Sequence, residues 1–321
     1  MVTLTIFTPA YNRAHTIGRT YQSLCRQTCH DFEWLIVDDG SQDNTRELVK
    51  TWLGEYVEIE EADEICGYSI DAPWLKIRYI FQQNQGMHGA HNTAYEHITT
   101  ELNTCIDSDD YAPDDCVETI VNTWNGLSDK ERQKYAGIIG LDIDDKYKKV
   151  IGSKFPDGLT ETTLTGYYNN GGSGDKKIVY RTDIVTQYPK YPLFEGERYV
   201  GLATLYQMID REYKLLVLNK PLVIVDYQLE GSSFNMYRQY WNNPRGFAYL
   251  RKQDMKYALS FKRKFMSCIH YVSSSIRFRN WQFLKESPAP FLTFLAIPFG
   301  ILWHIFIRHK VMTGAKYQVN K

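Results

Sequence analysis

Asn103-Thr104-Cys105-Ile106-Asp107-Ser108-Asp109-Asp110-Tyr111 is the stretch whose reading decides this chain. Three carboxylates fall within four positions, directly after a short run that reads as a buried strand. In extended backbone alternate side chains share a face, so Asp107 and Asp109 point the same way. Carboxylates this close repel each other unless a positive charge lies between them. A hard divalent cation meets that need, and Mg²⁺ or Mn²⁺ favours one or two carboxylates completed by substrate phosphates. The competing reading is an acidic loop that caps a helix beginning near Asp114. The sequence on either side of the stretch separates the two.

Toward the N-terminus, residues 2–8 form a β-branched run ended by Pro9, then the turn-like Tyr11-Asn12-Arg13. A helix is expected over 14–27, with Ile17, Tyr21 and Leu24 at helical spacing. Glu33-Trp34-Leu35-Ile36-Val37 reads as an apolar strand ending in Asp38-Asp39-Gly40-Ser41, and Asn44-Thr45 opens another helix. Strand, helix, strand, helix is the pattern of a parallel sheet covered by helices. Such sheets bind ligands at the carboxyl ends of their strands. Residues 54–73 are acidic and poorly periodic, and are expected to form a surface excursion. A third strand is expected at 77–81, a Gly- and His-containing loop at 82–92, and a helix at 90–99 leading into the strand before Asp107.

Four motifs therefore stand in order: Thr8-Pro9-Ala10-Tyr11-Asn12-Arg13, Val37-Asp38-Asp39-Gly40-Ser41, Asn84-Gln85-Gly86 with His91-Asn92, and Asp107-Ser108-Asp109-Asp110. Together they resemble the nucleotide-sugar-binding half of family 2 glycosyltransferases, which have the GT-A fold, a Rossmann-like α/β sheet with helices on both faces. The resemblance implies that Thr8 to Arg13, Asp39, Gly40, Gly86, His88, His91, Asn92, Asp107 and Ser108 line the nucleotide-sugar site. Asp39 would accept a hydrogen bond from the N3–H of uracil, as suits a carboxylate facing an imide. Asp109 would be the direct ligand of Mn²⁺ or Mg²⁺, with Asp107 nearer the ribose or a metal-bound water. The metal would neutralise charge on the departing nucleoside diphosphate. His88 and His91 would reach the diphosphate or sugar, the alternative being ordinary hydrogen-bonding residues.

For the second half, a strand is expected at 137–142 and a polar edge strand or hairpin at 148–154. Gly171-Gly172-Ser173-Gly174-Asp175-Lys176 reads as a turn, and in the part of the family this chain most resembles a GDK segment leads to the acceptor side. That places Asp175 and Lys176 at the cleft, with a plain surface turn as the alternative. An inverting transferase needs a carboxylate to take the acceptor's proton. The family often carries it in a Glu-Asp pair before a helix, expected here over 202–213, yet the aligned positions are Val200-Gly201. Glu197 is the preferred catalytic base and Glu195 the second choice, unless Glu197 only pairs with Arg198 or caps the helix. Residues 215–225 read as a strand broken at Pro221, and 227–234 as a segment closing the acceptor site. Arg238, Tyr240, Trp241 and Arg245 suit a phosphate and a sugar face, the alternative for Tyr240 and Trp241 being that they only anchor the C-terminal helices to the core.

The 321 residues are 43% hydrophobic and 14% aromatic, enough for a real core and unlike a disordered chain. The net charge of −1 hides an uneven distribution: residues 1–244 hold 23 Lys and Arg against 36 Asp and Glu, whereas 245–321 hold 14 against 2. A basic tail meets an anionic surface. Residues 291–307 are almost wholly apolar, interrupted by Pro298 and Gly300 and closed by Arg308-His309-Lys310. That run is short for a span and carries a proline. A tail lying on the cytoplasmic leaflet, dipping into it or re-entering, is expected, with a helix packed on the domain or a partner subunit as the alternative. Basic residues interleaved with so apolar a segment argue against nucleic acid. The six cysteines form no zinc-like CxxC pairs and read as reduced thiols.

The combined expectation is a GT-A glycosyltransferase domain over 1–245 and membrane-associating helices over 246–321. The protein would be cytoplasmic and peripheral at the inner face of the cell membrane. The function expected is metal-dependent, inverting transfer from a UDP-sugar to a glycan or lipid-linked acceptor in surface polysaccharide assembly. A polyprenyl-phosphate glycosyltransferase is the alternative, since a phosphate acceptor needs no base. An inactive binding or scaffold protein is the second alternative. Homo-oligomerisation stays open.

Overall fold

The computed structural model describes residues 2–59, 63–226, 236–258 and 260–319, with side chains as far as Thr313. The expected acceptor-closing segment at 227–234 lies outside the described residues. The chain forms two compact units: Met1–Lys190 with Met208–Gln228, and Tyr191–Gln207 with Leu229–Lys321. The boundary expected at 245/246 falls inside a helix of the second unit.

The first unit holds one sheet. Its strands are β1 (Leu4–Ala10), β2 (Phe32–Asp38), β3 (Leu53–Ile59), β4 (Glu64–Ser69), β5 (Lys76–Phe81), β6 (Leu102–Cys105), β7 (Tyr135–Asp144), β8 (Glu161–Thr162), β9 (Lys176–Arg181) and β10 (Lys214–Val225). Their order is β3-β4-β5-β2-β1-β6-β9-β7-β10-β8. β1 runs parallel to both β2 and β6, and β5 extends the parallel set beyond β2. β9 lies antiparallel between β6 and β7.

β1 and β2 are buried along their whole length, as strands covered on both faces must be. Alternation sends Leu4, Ile6, Trp34 and Ile36 to one face, against Ile17 and Leu24 of α1 (Ile17–Cys25). α2 (Thr45–Thr51) packs by β3. The opposite face carries Phe7, Leu35 and Val37 against Ala90 and Ala94 of α3 (Met87–His97). On the first face α4 (Cys116–Asn125) adds Val117, Ile120 and Trp124. Short helices α5 (Asp129–Arg132), α6 (Leu164–Asn169) and α7 (Thr182–Val185) complete the connections, and α8 (Ala203–Ile209) is divided between the two units.

Residues 54–73 are not a loose excursion. β3 and β4 form an antiparallel hairpin, and β4 joins the sheet beside β5. The charges sit on a hydrogen-bonded edge: Glu64 of β4 meets Arg78 of β5 at 2.8 Å. Acidic residues mask a strand whenever one of its faces is wet. Of the two forms expected for 148–154, the hairpin is the one found: around a turn in which Tyr147 N–H donates to Asp144 at 2.6 Å, Asp144 N–H donates to the Lys149 carbonyl at 2.8 Å and Ile151 N–H to the Asp142 carbonyl at 2.9 Å, with Val150 bridged to Ile143. The proline of β10 produces register shifts against β7 rather than a break.

The second unit contains α9 (Met236–Asn242), α10 (Pro244–Tyr257), α11 (Phe261–Arg277), α12 (Phe283–Glu286) and α13 (Pro290–Val319). Its core joins Ala248, Met255, Cys268, Tyr271 and Ala296. α13 runs unbroken through Pro298, and Gly300 lets it close on α11: a Cβ there would meet Val272 at 2.5 Å.

Candidate active site

The parallel register brings the ends of β2, β1 and β6 together, with Asp38 opposite Ala10 and Cys105 opposite Phe7. The loops that leave these ends carry most of the motif residues.

Thr8, Pro9 and Ala10 are buried strand residues, and Thr8 Oγ1 accepts from the Trp34 indole at 2.9 Å. They build the floor. Tyr11, 47% exposed, opens the loop. Asn12 adopts φ of 54° and stitches this loop to the one after β2: its N–H donates to Ser41 Oγ at 2.8 Å, and its Oδ1 accepts from Gln42 N–H at 2.7 Å. Arg13 N–H donates to Thr45 Oγ1 at 3.1 Å.

Asp39 is buried and holds the loop after β5. One oxygen accepts from Gln82 Nε2 at 2.7 Å and Gln85 N–H at 2.8 Å, the other from Gly86 N–H at 2.7 Å. Gly40 allows the two loops to touch, since at φ of 86° a Cβ would lie 2.8 Å from Asn84 N. Gly86 precedes α3, which starts earlier than the sequence suggested. His88, His91 and Asn92 are therefore buried helix residues, not members of a loop. His91 packs edge-on to Phe7 at 4.9 Å, with Nδ1 3.4 Å from the Tyr95 hydroxyl. Burial, partly opposed by the Asp107 charge, lowers its pKa to about 4 and keeps it neutral.

The acidic segment follows β6 directly. Among the described residues Asp107 accepts only a long contact, from the Cys105 thiol at 3.6 Å, and Ser108 is buried. Burial and then the Asp107 charge raise the pKa of Asp109, while Arg13 opposes. Asp110 is pushed up to about 8 by burial and by Asp107, with Lys177 opposing. Its Oδ1 accepts from Asp226 N–H at 3.1 Å, and Tyr111 exchanges backbone hydrogen bonds with Ile224. Asp110 thus ties the segment to the end of β10. Asp107 and Asp109 are left as two hard oxygen donors under mutual repulsion. Among the described residues no three His, Cys, Asp or Glu side chains gather as a complete metal site. A divalent ion held by this pair would need phosphate or water oxygens as well, and the donor set fits that arrangement.

The profile for glycosyl transferase family 2 matches residues 5–129, the segment that contains every motif above. This region is a family 2 glycosyltransferase domain. Two relatives agree. Glycosyltransferase GlyA of Streptococcus pneumoniae serotype 4 is 28% identical over 46% of this chain and 20% of its own length. The GalNAc(5)-diNAcBac-PP-undecaprenol beta-1,3-glucosyltransferase of Campylobacter jejuni is 23% identical over 75% of this chain and 71% of its own. This chain thus spans only about a fifth of the pneumococcal protein. Residues 1–349 of S. aureus TarS, solved in complex with UDP-GlcNAc, share the fold: TM-score 0.58, 16% identity, 94% of this chain and 81% of that one. The fold is GT-A.

At the start of β9, the strand paired with β6, Asp175 is exposed at its turn. Lys176 is buried, and its ammonium donates to the carbonyls of Ile151, Ser173, Gly174 and Asp175 at 2.9–3.3 Å. It fastens that turn and is not offered to an acceptor. Its neighbour Lys177 points the other way, with Nζ 2.9 Å from the carbonyl of Cys105. Burial works against the Lys177 charge, but Asp142, Asp107 and Asp110 outweigh it and hold the pKa above the usual lysine value. Asp142 on β7 is buried, with Oδ1 accepting no hydrogen bond among the described residues, and burial pushes its pKa to about 6 against the pull of Lys177. Sequence reading missed both residues. The signals were an acid ending the apolar run of β7 and two consecutive lysines opening β9, which alternation must send to opposite faces.

Within the second unit, Glu197 is buried at the head of α10. Its carboxylate accepts from Arg245 N–H at 3.0 Å, Arg245 Nε at 3.1 Å and Gly246 N–H at 2.9 Å. The two backbone groups are first-turn donors that a helix leaves unpaired. The carboxylate therefore acts as a cap, but of α10 and not of the helix expected over 202–213, and its ion pair is with Arg245 and not Arg198. Glu195 is exposed and gives its carbonyl to Arg245 at 2.8 Å. Trp241 stacks under Arg277 at 4.2 Å and packs near His304, anchoring α9 to α11 and α13. Arg238 is exposed on α9.

Proposed function

We propose that this glycosyltransferase moves a sugar from a nucleotide donor, UDP-linked, to a glycan or lipid-linked acceptor in surface polysaccharide assembly. The observation that carries the reading is the contrast at the ends of β2 and β6. Asp39 is saturated with protein donors, whereas Asp107 and Asp109 repel each other with almost none. A pair in that state calls for a cation, and a diphosphate supplies ligands that the described residues do not gather.

In this reading Tyr11 and the loop after β1 receive the nucleobase. Asp39 meets uracil only by taking a further donor beside its three protein ones, so its larger task is to fix the loop after β5. Asp107 and Asp109 hold Mn²⁺ or Mg²⁺. When bound, the ion supplies Lewis-acid stabilisation of the leaving diphosphate. His91, neutral and packed on Phe7, shapes the wall and carries no proton at neutral pH beyond that of its neutral ring. The TarS complex with UDP-GlcNAc and the undecaprenol-linked acceptor in the name of the Campylobacter relative support the donor and acceptor classes.

A second reading is favoured by Glu197. With that carboxylate capping α10 and no acid at Val200-Gly201, a phosphate acceptor, which needs no base, suits the chain. The acceptor would then be a polyprenyl phosphate.

The tail agrees with a membrane-borne acceptor. The 24 residues Pro290–Thr313 are by length and composition able to cross a membrane. Phe291, Phe294, Leu302 and Ile305 are each more than half exposed, while Ala296 and Ile307 face inward. That arrangement, with Arg308 and Lys310 beside it, fits a helix lying at an anionic lipid surface.

Thermal melting with UDP, GDP, dTDP and CDP, each with and without Mn²⁺, tests the donor reading. Metal-dependent stabilisation by UDP alone is expected, about 2.7 kcal/mol at a hundred times the dissociation constant. No shift with any nucleotide overturns it.

A further inference from the structure

Lys177 is a cation placed inside an acidic cluster by sheet register. β9 is antiparallel to β6, with Thr104 opposite Val179, and to β7, with Gly140 opposite Lys177. This sets the Lys177 side chain beside the last residue of β6, and its ammonium rests on the Cys105 carbonyl at 2.9 Å, two residues before Asp107. An ammonium has three donors. Among the described residues that carbonyl is its one hydrogen-bond partner, and no carboxylate lies within ion-pair distance. Its charge nonetheless acts through space on Asp142, Asp107 and Asp110.

We propose that Lys177 is an internal counter-ion of the Asp107–Asp109 site that makes divalent-metal binding depend on the donor's diphosphate. The inference rests on the metal-dependent donor site proposed above. A divalent ion approaching Asp107 and Asp109 alone meets few protein oxygens among the described residues, and the repulsion of Lys177 near Asp107 adds to that of Arg13 near Asp109. A diphosphate arriving with it brings negative charge that offsets Lys177, along with oxygen ligands beyond those the described residues gather. Asp142 bears on Lys177 from the opposite strand and moderates how strongly its charge falls on Asp107. Lys177 is thus a positioning residue: it sets the order of assembly and forms no bond with the sugar.

The test is Mn²⁺ binding to the full chain, followed by electron paramagnetic resonance of free Mn²⁺, with and without UDP. The wild type is expected to bind Mn²⁺ weakly alone and much more tightly with UDP. Lys177→Met is expected to bind Mn²⁺ alone roughly tenfold more tightly than wild type, with a smaller gain from UDP. Lys177→Arg keeps the charge and should match wild type. The direction matters, because structural damage weakens a metal site whereas loss of a counter-ion strengthens it. Asp142→Asn should shift the balance the other way and weaken Mn²⁺ binding without nucleotide, which keeps the idea testable should Lys177→Met fail to fold. Unchanged or weaker Mn²⁺ binding in a folded Lys177→Met, or no change in Asp142→Asn, overturns the proposal. Wild-type Mn²⁺ binding that survives Asp109→Asn overturns it too, by placing the ion elsewhere. If the wild type binds neither UDP nor Mn²⁺, the donor-site reading itself has failed and takes this inference with it.

Discussion

Two aspartate pairs end strands on either side of β1 and have opposite fates. After β2, Asp38 accepts from Ser41 N–H and the Tyr79 hydroxyl at 2.7 Å each, and Asp39 takes three donors from the loop after β5. After β6, Asp107 has one long thiol contact, and Asp109 accepts from no other residue among those described. The first pair is built into the scaffold, and removing it should break structure. The second pair is held under repulsion, and removing it should break chemistry. A carboxylate's hydrogen bonds, more than its place in a motif, separate the two roles.

The largest expected effect is on Asp109. Asp109→Asn should lower sugar transfer by about 10²–10³-fold. The melting temperature should hold or rise, because the charged form is disfavoured by burial and by Asp107. Initial rates beside thermal melts check this, and a large fall in melting temperature would break the contrast.

Asp39→Asn is the mirror experiment. An amide presents an N–H₂ where the wild type meets three donors, so unfolding free energy in urea should fall by about 2–3 kcal/mol. A variant equally stable but inactive would make Asp39 a ligand contact first and a scaffold residue second.

Acid titration sharpens the comparison at Asp142. Its folded pKa is raised to about 6, whereas an unfolded aspartate titrates near ~3.9. Between those values the unfolded chain has released a proton that the folded chain retains. Asp142 therefore favours folding at low pH, and its contribution is lost as pH rises from about 4 to about 6. Asp142→Asn should flatten the stability profile in that window, read by urea unfolding at stepped pH.

The smallest effect is expected at Glu197. Glu197→Gln gives up an ion pair with Arg245 and weakens the cap of α10, at about 1–2 kcal/mol. Transfer per folded molecule should stay within a few-fold of wild type. A hundredfold loss in a folded variant would restore Glu197 as the acceptor's base.

The same logic explains where sequence reading stopped. Apolar runs and turn residues located β1, β2, β5 and β6, since strand periodicity and loop chemistry are local properties. They did not show β3 and β4, whose acidic residues lie on a sheet edge that only pairing with β5 creates. They placed His88 and His91 in a loop, because Gly86 looked like part of a turn and not the residue before a helix.

By itself, then, the sequence determined the order of most of the elements and the family of the segment that the motifs span, since both are written in spacing along the chain. The tertiary structure alone decided what each charge does. Lys176 and Lys177 are adjacent and chemically identical, yet one is bound by four carbonyls and the other stands among aspartates from β7 and the loop after β6. Glu197 and Asp109 are both acids beside turns. One caps a helix 48 residues further on, and the other accepts from no other residue among those described. The physical reason is that a side chain's charge state and bonding depend on neighbours distant in the chain. Strand register, which turns one residue's step into a change of face, selects those neighbours.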